Sequence, residues 1–271
     1  MVNTKTAIPN TSGVKKVAIK KRLVFYREQA DSQFWDSIWE SQETERLYQE
    51  AMAGALGYFE DIFPRYLPKQ GQIVEAGCGL GQLVIALRQR GYAVEGVDYA
   101  KETITELKKR FPEIPFRIGD VTDFDVADGY YTGYISIGVV EHALYGPDAF
   151  FPKAYRVLKP GGVALISVPY FNSIRRLKAL FGQYPSRPGD LPFYQYAFTK
   201  SEFSGILSKS GFEVIDAQQY GGFKGITDEL SFLQRVFTWP QGWRLRKWLM
   251  NSVALGKLNG HMIMFVAVKN P

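Results

Sequence analysis

A glycine-rich loop and the carboxylate before it are the residues of this sequence with the clearest chemistry. Gly77, Gly79 and Gly81 occupy alternate positions in the stretch VEAGCGLGQ, which starts at residue 74. Dinucleotide-binding loops read G-x-G-x-x-G, but here Gln82 stands where that pattern requires its third glycine. Glu75 would repel a pyrophosphate, whereas its carboxylate suits a ligand with ammonium and sulfonium charge. The loop therefore indicates a small cationic ligand.

Two aspartates follow at the ends of the next predicted strands. Asp98 can accept hydrogen bonds from both hydroxyls of a ribose, and Asp120 can read the amino group of an adenine. A lone aspartate at a strand end is more often a turn former or a helix cap, so that alternative stays open for each residue. Together with Glu75, on successive strand ends, the two aspartates favour a nucleoside site.

His142 is the candidate general base. It follows Glu141 just beyond the fourth predicted strand. An imidazole that titrates near neutrality, oriented by a carboxylate neighbour, can remove a proton from a hydroxyl or an amine. The alternative is that the Glu-His pair only orients the loop after it. The second histidine, His261, starts a predicted edge strand, where we expect a structural role.

Short strands and helices alternate through the middle of the chain. The predicted strands are QIVEAG, AVEGVD, PFRIGD, GYISIG and GVALISVP, and segments with helical apolar spacing separate several of them. This alternation predicts an α/β fold with a parallel sheet covered by helices on both faces. Ligands of such sheets bind beyond the carboxyl ends of the strands, where the strand order reverses. The loops that carry the three carboxylates should therefore meet at one edge.

Other segments flank this core. Residues 1–29 are predicted to form a loose basic arm. Residues 30–271 are predicted to be one domain with a helical lid, a cofactor-binding core and two insertions on the substrate side, at 30–66, 71–169, 170–200 and 222–260. The stretches FEVIDAQQY and HMIMFVAVK predict two more strands. TKSEFSGILSKSG predicts a helix with Thr199 as its N-cap and Glu202 as its capping-box partner.

Composition and charge exclude several classes of protein. The 271 residues include one cysteine, so neither an intrachain disulfide nor a multi-cysteine zinc site is expected. No apolar run approaches the roughly 20 residues that span a bilayer, and we expect a cytoplasmic location. The net charge is +6. Two basic clusters are either solvated faces or surfaces that attract anions: Lys15, Lys16, Lys20, Lys21 and Arg22, and Arg235, Arg244, Arg246, Lys247 and Lys257.

The core resembles that of the class I S-adenosylmethionine-dependent methyltransferases. The resemblance rests on the stretches VEAGCGLG, VEGVDYA, IGDVTD, ISIGVVEHAL and RVLKPGGVALISVP, in this order. It implies a doubly wound, seven-stranded, mainly parallel sheet in the order 3-2-1-4-5-7-6, with the last strand antiparallel. It implies S-adenosylmethionine as cofactor and S-adenosylhomocysteine as its product. The implied reaction is in-line methyl transfer to an oxygen or nitrogen of a small-molecule acceptor.

The resemblance also implies roles for single residues. Glu75 would face the ammonium of the cofactor's methionine, Asp98 would hold the ribose, and Tyr99 would lie beside the adenine. The other cofactor-binding residues would be Ala76, Gly77, Cys78, Gly79, Gly81, Asp120, Val121, Ile137 and Gly138. Cys78 is then a loop residue and not a nucleophile. No metal is expected, because Ile137 and Gly138 stand where metal-binding relatives need an acidic residue.

Aromatic and polar residues outside the core are candidates for a lid and an acceptor pocket. Trp35 and Trp39 share one face of a predicted helix. As a lid, Trp39 would cover the cofactor and Trp35 the acceptor; the alternative is that both are core residues. The insertion after the fifth strand offers five residues for acceptor binding: Tyr170, Asn172, Arg175, Tyr194 and Tyr196.

Several functions compete with methylation of a small molecule. Nucleic acid is a disfavoured acceptor, because the fourth strand ends in SIGVVEH and not in the N/D-P-P-Y pattern of DNA amino-methyltransferases. A protein that binds the cofactor without turnover is one alternative, and a nicotinamide oxidoreductase, which Glu75 and Gln82 disfavour, is another. In a third, residues 230–258 lie at an anionic membrane and the acceptor is a lipid-linked or glycan intermediate. Otherwise that segment caps the sheet.

Overall fold

A seven-stranded sheet runs through the centre of the computed structural model, which describes residues 13–27, 42–230 and 259–270. Its strands are β3 (Gln72–Ala76), β4 (Ala93–Asp98), β5 (Phe116–Ile118), β6 (Tyr131–Ile137), β7 (Leu158–Pro169), β9 (Phe212–Tyr220) and β10 (Met262–Lys269). A separate small sheet contains β1 (Lys15–Ile19), β2 (Arg22–Tyr26) and β8 (Phe193–Phe198).

The order of strands across the large sheet is β5-β4-β3-β6-β7-β10-β9. Counted along the sheet's own strands, this is the predicted order 3-2-1-4-5-7-6, and the α/β fold is confirmed. The strands from β3 to β7 pair in parallel, whereas β10 is antiparallel to both β7 and β9. The order reverses between β3 and β6, which opens the crevice where ligands of such sheets bind.

Helices cover both faces of the large sheet. They are α1 (Gln42–Met52), α2 (Ile62–Tyr66), α3 (Gln82–Gln89), α4 (Lys101–Arg110), α5 (Phe151–Val157), α6 (Ser173–Leu180), α7 (Lys200–Lys209) and α8 (Gly222–Thr227). Successive strand residues point to opposite faces, so Ile73 packs with α3 and α4 while Val74 packs with α5 and α7. Because both faces are buried, the strands read as near-continuous apolar runs.

The local sequence accounts for where the helices begin and end. α4 carries Glu102 in its first turn and three basic residues in its last turn, which suits the helix dipole. α7 begins as predicted, because the Thr199 hydroxyl accepts a hydrogen bond from the backbone N–H of Glu202 at 3.3 Å. The Glu202 carboxylate, however, accepts from Arg22 Nε at 2.6 Å. The expected capping-box partner therefore links α7 to the small sheet.

The small sheet corrects the prediction of a loose arm over residues 1–29. Residues 15–26 form the hairpin β1–β2, and β8, from the predicted insertion 170–200, pairs antiparallel with β2. Leu23 and Phe25 are buried in a small apolar core of their own. The many lysines hide this apolar alternation in the sequence, and the pairing strand lies far away in the chain.

Three of the predicted segments are described only in part. The described residues leave out part of the arm, part of the helical lid and part of the last insertion. The ranges left out are 1–12, 28–41 and 231–258. The described part of the lid contains α1 and α2, and that of the last insertion contains α8. Among the described helices, none combines the length and the apolar character that crossing a bilayer requires.

A buried group of charges ties the small sheet to α6 and to the chain after α8. The Glu229 carboxylate, which has no exposed surface, lies 2.5 Å from Lys16 Nζ. It lies 3.1 Å from both Arg175 Nε and Lys178 Nζ, and it accepts from the Tyr184 hydroxyl at 2.8 Å. Burial alone would raise the pKa of Glu229, but Lys16 and Arg175 outweigh burial and bring it down to about 2. This carboxylate therefore joins three parts of the fold.

Glu229→Gln is expected to lower the free energy of unfolding at pH 7 by about 3–5 kcal/mol, because it leaves buried cations without their counter-charge. Urea denaturation followed by circular dichroism measures the change. The matched control is Glu106→Gln, since Glu106 pairs with Lys109 at 3.5 Å on the surface. An exposed pair of this kind contributes about 1 kcal/mol or less. Equal effects of the two substitutions would contradict the role given to Glu229.

The same variant tests a pH dependence. The folded state holds the pKa of Glu229 at about 2, below its ordinary value of 4.5. A carboxylate with a depressed pKa stabilises the fold above its unfolded-state pKa, and this contribution is lost as the pH falls towards the folded-state pKa. The stability difference between the wild type and Glu229→Gln should therefore narrow from pH 4.5 to pH 2. A constant difference over that interval would contradict the assignment.

Candidate active site

The glycine-rich loop leaves β3 along a path that requires glycine. Gly77, Gly79 and Gly81 all have positive φ, at 83°, 47° and 67°. A Cβ on Gly77 would lie 2.3 Å from Val139 Cγ2, and one on Gly81 would lie 2.6 Å from Phe116 Cε1. The alternate glycines thus serve the turn between β3 and α3 and its close contact with neighbouring elements.

Asp98 fastens this loop to the end of β4. One oxygen of its carboxylate accepts from the Gly79 N–H at 2.8 Å, and the other accepts from the Ala100 N–H at 2.9 Å. The residue is only 7% exposed. Each carboxylate oxygen has a second lone pair, so both can still accept from the hydroxyls of a ribose. The turn-forming and the ligand-binding interpretations of Asp98 are therefore compatible.

Glu75 lies at the base of the loop with an unsatisfied oxygen. The residue is buried, and its Oε2 has no hydrogen-bond partner among the described residues. Burial raises the pKa of Glu75 to about 8; Asp98 adds to the rise, and the Val84 N–H at the start of α3 opposes it. A buried polar group without a partner costs free energy. A cationic group of a ligand would pair with Oε2 of Glu75 and remove that cost.

The loop after β5 contributes Asp120, which is exposed. Its Oδ1 accepts from the backbone N–H of Thr122 at 2.8 Å and from the Thr122 hydroxyl at 2.7 Å. Asp120 therefore forms a turn, and its other oxygen is left for a ligand. Val121 is buried, whereas the ring of Tyr99, next to Asp98, is 58% exposed and presents a flat surface.

The ends of β3 and β6 form the floor of the crevice. Ala76 is the last residue of β3 and is fully buried. Ile137 ends β6, and Gly138 follows with φ at 70°. Because β3 and β6 are neighbours and parallel, these residues come together where the strand order reverses. The predicted residues from four successive strand ends are thus brought to one edge of the sheet.

Cys78 contributes its backbone to the loop but not its thiol. The side chain packs in the core against β4, 2.7 Å from where a Cβ on Gly96 would lie. Burial raises the pKa of the thiol well above its ordinary value, and Glu75 and Asp98 add to the rise. A thiol that keeps its proton is a poor nucleophile. This agrees with the interpretation of Cys78 as a loop residue.

His142 lies in a short 3₁₀ turn after β6 and contacts β8. Its Nδ1 is 2.9 Å from the carbonyl oxygen of Tyr194, and the two rings are 5.1 Å apart, edge to face. A carbonyl oxygen only accepts, so Nδ1 carries the proton and Nε2 carries the lone pair. Burial lowers the pKa of His142, and the bond to Tyr194 opposes this. The orienting group is therefore a backbone carbonyl, where the sequence suggests the Glu141 carboxylate.

Glu141 points into the protein beside Gly138. It is 2% exposed, and its Oε2 has no hydrogen-bond partner in the part of the chain that is described. Its Oε1 lies 3.6 Å from the position that a Cβ on Gly138 would take. Burial raises the pKa of Glu141 to about 8, so at neutral pH this carboxyl mostly keeps its proton. It can then donate as well as accept a hydrogen bond.

Ser167 and Tyr220 form a polar pair that sequence analysis missed. Their hydroxyl oxygens are 2.5 Å apart near the ends of β7 and β9. The Tyr220 ring also contacts those of Tyr58 and Phe59, with centroids 5.3 and 5.2 Å away. Burial raises the pKa of Tyr220, and Glu141 adds to the rise, so the tyrosine is within electrostatic reach of that carboxyl. The only sequence signal is a tyrosine that ends a predicted strand.

Asn172 and Arg175 belong to the framework of the fold. Both are fully buried. Asn172 caps α6 by accepting from the Arg175 N–H at 3.0 Å and donates to the Gly260 carbonyl at 3.0 Å. Arg175 donates to Glu229, to the Tyr170 carbonyl and to the His261 carbonyl. The structure therefore does not support the prediction that these two residues bind an acceptor.

Three tyrosines border the side of the crevice where His142 lies. The pairing of β8 with β2 shifts register at Tyr194, so Tyr194 packs against the apolar core of the small sheet whereas Tyr196 packs against the core of the large sheet. Tyr194 contacts His142, and the Tyr196 hydroxyl donates to the Leu144 carbonyl at 2.8 Å. Tyr170, directly after β7, is half-buried. These aromatic side chains remain candidates for contacts with an acceptor.

The remaining predictions concern the lid and metal binding. Trp35 and Trp39 lie outside the described residues, so their roles stay predictions. Over residues 13–27, 42–230 and 259–270, no three His, Cys, Asp or Glu side chains gather as a metal site requires.

The crevice fits an adenosyl amino acid better than a dinucleotide. A pyrophosphate at the glycine-rich loop would meet two acidic side chains, Glu75 and Asp98. An ammonium group would instead satisfy the free Oε2 of Glu75. Ribose hydroxyls match the remaining lone pairs of Asp98, and the exposed ring of Tyr99 can lie against a base. The donor set therefore fits S-adenosylmethionine.

Comparison with known proteins supports this fit. A family model described as a methyltransferase domain matches residues 74–166. A Mycolicibacterium smegmatis protein, named for S-adenosylmethionine-dependent methyltransferase activity, is 30% identical over 53% of this chain and 52% of its own length. The S-adenosyl-L-methionine-dependent Diels-Alderase iliD of Neonectria sp. is 24% identical over 66% of this chain and 65% of its own length. The chain thus spans between half and two thirds of the length of each of these two relatives.

A solved structure shows the same fold. It is the 1,6-didemethyltoxoflavin-N1-methyltransferase of Burkholderia thailandensis with 1,6-didemethyltoxoflavin and S-adenosylhomocysteine bound, at 17% identity and a TM-score of 0.54. The match covers 95% of this chain and 100% of that one. The methyltransferase-domain model thus matches the part of this chain, residues 74–166, that carries the glycine-rich loop and its carboxylates, and the solved structure shares the fold of the chain.

Proposed function

We propose that this chain transfers a methyl group from S-adenosylmethionine to an oxygen or nitrogen of a small-molecule acceptor. The observation that carries the proposal is the pair of buried carboxylates, Glu75 and Asp98, on either side of the glycine-rich loop at the reversal of strand order. When bound, S-adenosylmethionine supplies a methyl group already activated on a sulfonium. The protein then has to bind, align and, for a weak nucleophile, remove a proton.

The residues of the strand ends divide the task of binding. Glu75 would hold the ammonium of the methionine, because its free oxygen has no other partner among the described residues. Asp98 would hold the ribose hydroxyls while it keeps the loop in place. Tyr99, Asp120 and Val121 would border the adenine. The backbone of the loop itself, with its glycines, would leave room for the methionine.

His142 is the proposed base. Its Nδ1 donates to the Tyr194 carbonyl, so Nε2 is the ring nitrogen that would accept a proton from an acceptor hydroxyl or amine. The depressed pKa keeps the imidazole neutral at pH 7. Tyr170, Tyr194 and Tyr196 would contact an acceptor through their rings and hydroxyls. These groups suit a small molecule with a polar nucleophile on an apolar or aromatic frame.

A second candidate function uses the bound cofactor without transferring its methyl group. The similarity to an S-adenosyl-L-methionine-dependent Diels-Alderase favours it, and simple cofactor binding without turnover is its limiting case. Incubation with S-adenosylmethionine and a panel of hydroxyl, carboxyl and amine compounds distinguishes the two functions. Release of S-adenosylhomocysteine with any compound supports methyl transfer. Tight cofactor binding with no release across the panel would support the second candidate.

Asp98→Ala is expected to weaken S-adenosylhomocysteine binding by about 10- to 100-fold, because charge-assisted hydrogen bonds to the ribose and the anchor of Gly79 are lost. Isothermal titration calorimetry measures the change. Asp125→Ala, which removes an exposed carboxylate beyond β5, is the control and should bind like the wild type. An unchanged affinity in Asp98→Ala would remove the central support of the proposed site.

Cofactor binding is also expected to release a proton. Without ligand, the pKa of Glu75 is about 8, so the carboxyl mostly holds its proton at pH 7. An ammonium group beside it favours the ionised form, so binding at pH 7 should release about one proton and tighten as the pH rises towards 8. Calorimetry in two buffers of different ionisation enthalpy counts the protons. Glu75→Gln, titrated in parallel to account for the ligand's own ionisation, should lack this release; equal release from both proteins would contradict the assignment.

His142→Ala is expected to lower turnover by about 10²- to 10⁴-fold and to leave S-adenosylhomocysteine affinity unchanged. Because burial holds the pKa of His142 below its ordinary value of 6.5, the wild-type rate should fall only below that pH. The variant should lack this acidic limb. The measurement is the pH profile of S-adenosylhomocysteine release with an accepted substrate, with Tyr145→Ala, an exposed residue of the same loop, as control. If the pH profile of the His142→Ala variant keeps the acidic limb, a group other than His142 accepts the proton.

A further inference from the structure

The outer side of α6 exposes a contiguous apolar surface. Leu177, Leu180 and Phe181 are 55%, 78% and 69% exposed. Their spacing of three and four residues puts them on one side of the helix and its end. Single exposed leucines are common, but a contiguous group of exposed apolar side chains marks an interaction site. We refer to these three residues as the α6 apolar patch.

The helix cannot turn to bury this patch, because its other side is fixed. Asn172 caps its first turn, and Arg175 is fully buried against Glu229. Ala179 packs against the apolar core of the small sheet. α6 is therefore amphipathic in an unusual sense, with a buried arginine on the protein side and leucine and phenylalanine on the solvent side.

The charges around the α6 apolar patch are positive. Between residues 173 and 189 no acidic residue occurs, and the first one beyond is Asp190. Lys15 Nζ approaches this segment, 3.0 Å from where a Cβ on Gly189 would lie. Behind the helix, the single carboxylate of Glu229 contacts three cations, so the buried group keeps net positive charge. Apart from Arg175 and Lys178, which belong to that buried group, the segment carries the exposed Arg176 and Arg187.

We propose that the α6 apolar patch docks on the surface of an anionic lipid bilayer. Leu177, Leu180 and Phe181 would enter the boundary between headgroups and acyl chains, and the exposed Arg176 and Arg187 beside them would contact the anionic headgroups. Helices with an apolar side and flanking lysine or arginine bind membranes in this way. A second copy of the chain is a poorer occupant, because two surfaces of like charge would face each other.

This docking surface is formed by other residues of the chain than 230–258, the segment that the sequence suggests for membrane contact. It also goes beyond the proposed methyl transfer and does not depend on it. α6 connects β7 to the segment that leads into β8, which carries Tyr194 and Tyr196. A membrane at α6 would therefore adjoin the small sheet that borders the crevice.

Vesicle flotation tests the proposal. The full chain should float with phosphatidylcholine vesicles that contain about one third phosphatidylglycerol and not with pure phosphatidylcholine, and binding should weaken as salt is raised. The triple variant Leu177→Ser, Leu180→Ser, Phe181→Ser should bind these vesicles at least about tenfold more weakly than the wild type. The matched control is Ile118→Ser with Ile215→Ser, which removes exposed apolar side chains of other surfaces and should bind normally. Arg176→Glu with Arg187→Glu should also lower binding.

Three results would overturn the proposal. One is a wild-type chain that does not float with anionic vesicles. Another is equal flotation of the wild type and the triple variant, which would assign membrane contact to another part of the chain. The third is a dimer in solution that depends on the α6 apolar patch, which would assign the surface to a second copy. Because flotation needs no turnover, a failure of methyl transfer leaves this result unaffected, and thermal unfolding confirms that each variant is folded.

Discussion

The cost of burying a carboxylate is the physical constraint on which this structure depends. An ionised carboxylate away from water must be paired, or it takes up a proton. Glu229 is paired with three cations and stays ionised. Glu75 and Glu141 each keep one oxygen without a partner in the described chain, and burial raises the pKa of both to about 8. The first arrangement stabilises the fold, and the second leaves a site that a ligand can satisfy.

The sheet explains why the unsatisfied carboxyls share one crevice. In a parallel sheet every strand delivers its last residues to the same edge, and the reversal between β3 and β6 separates the loops that follow them. Asp98 holds the glycine-rich loop through Gly79 and, in the proposed function, would also accept hydrogen bonds from the ribose. Asp98, the proposed ribose-binding residue, is therefore held by backbone hydrogen bonds without any ligand. Preorganisation of this kind reduces the entropy cost of ordering the site when a ligand binds.

Local patterns in the sequence predict the core of the fold well. β4 and β9 have the predicted bounds, because their apolar runs end at a charged or turn-forming residue, and Thr199 caps α7 as expected. Contacts between distant residues are what local patterns miss. The hairpin β1–β2 depends on β8, and Ser167 meets Tyr220 across 53 residues. Arg175 was a natural candidate for acceptor binding only because nothing near it in the chain indicates Glu229 as its partner.

The contact between Gly77 and Val139 has a mechanical consequence. The Val139 methyl groups fill the space beside Gly77 that a side chain would take, so the loop after β3 and the turn after β6 touch directly. The loop after β3 borders the proposed cofactor site, and the turn after β6 carries Glu141 and His142. Neither can shift far without displacing the other. Occupancy of either half of the crevice would thus bear on the affinity of the other half, and such coupling is reciprocal.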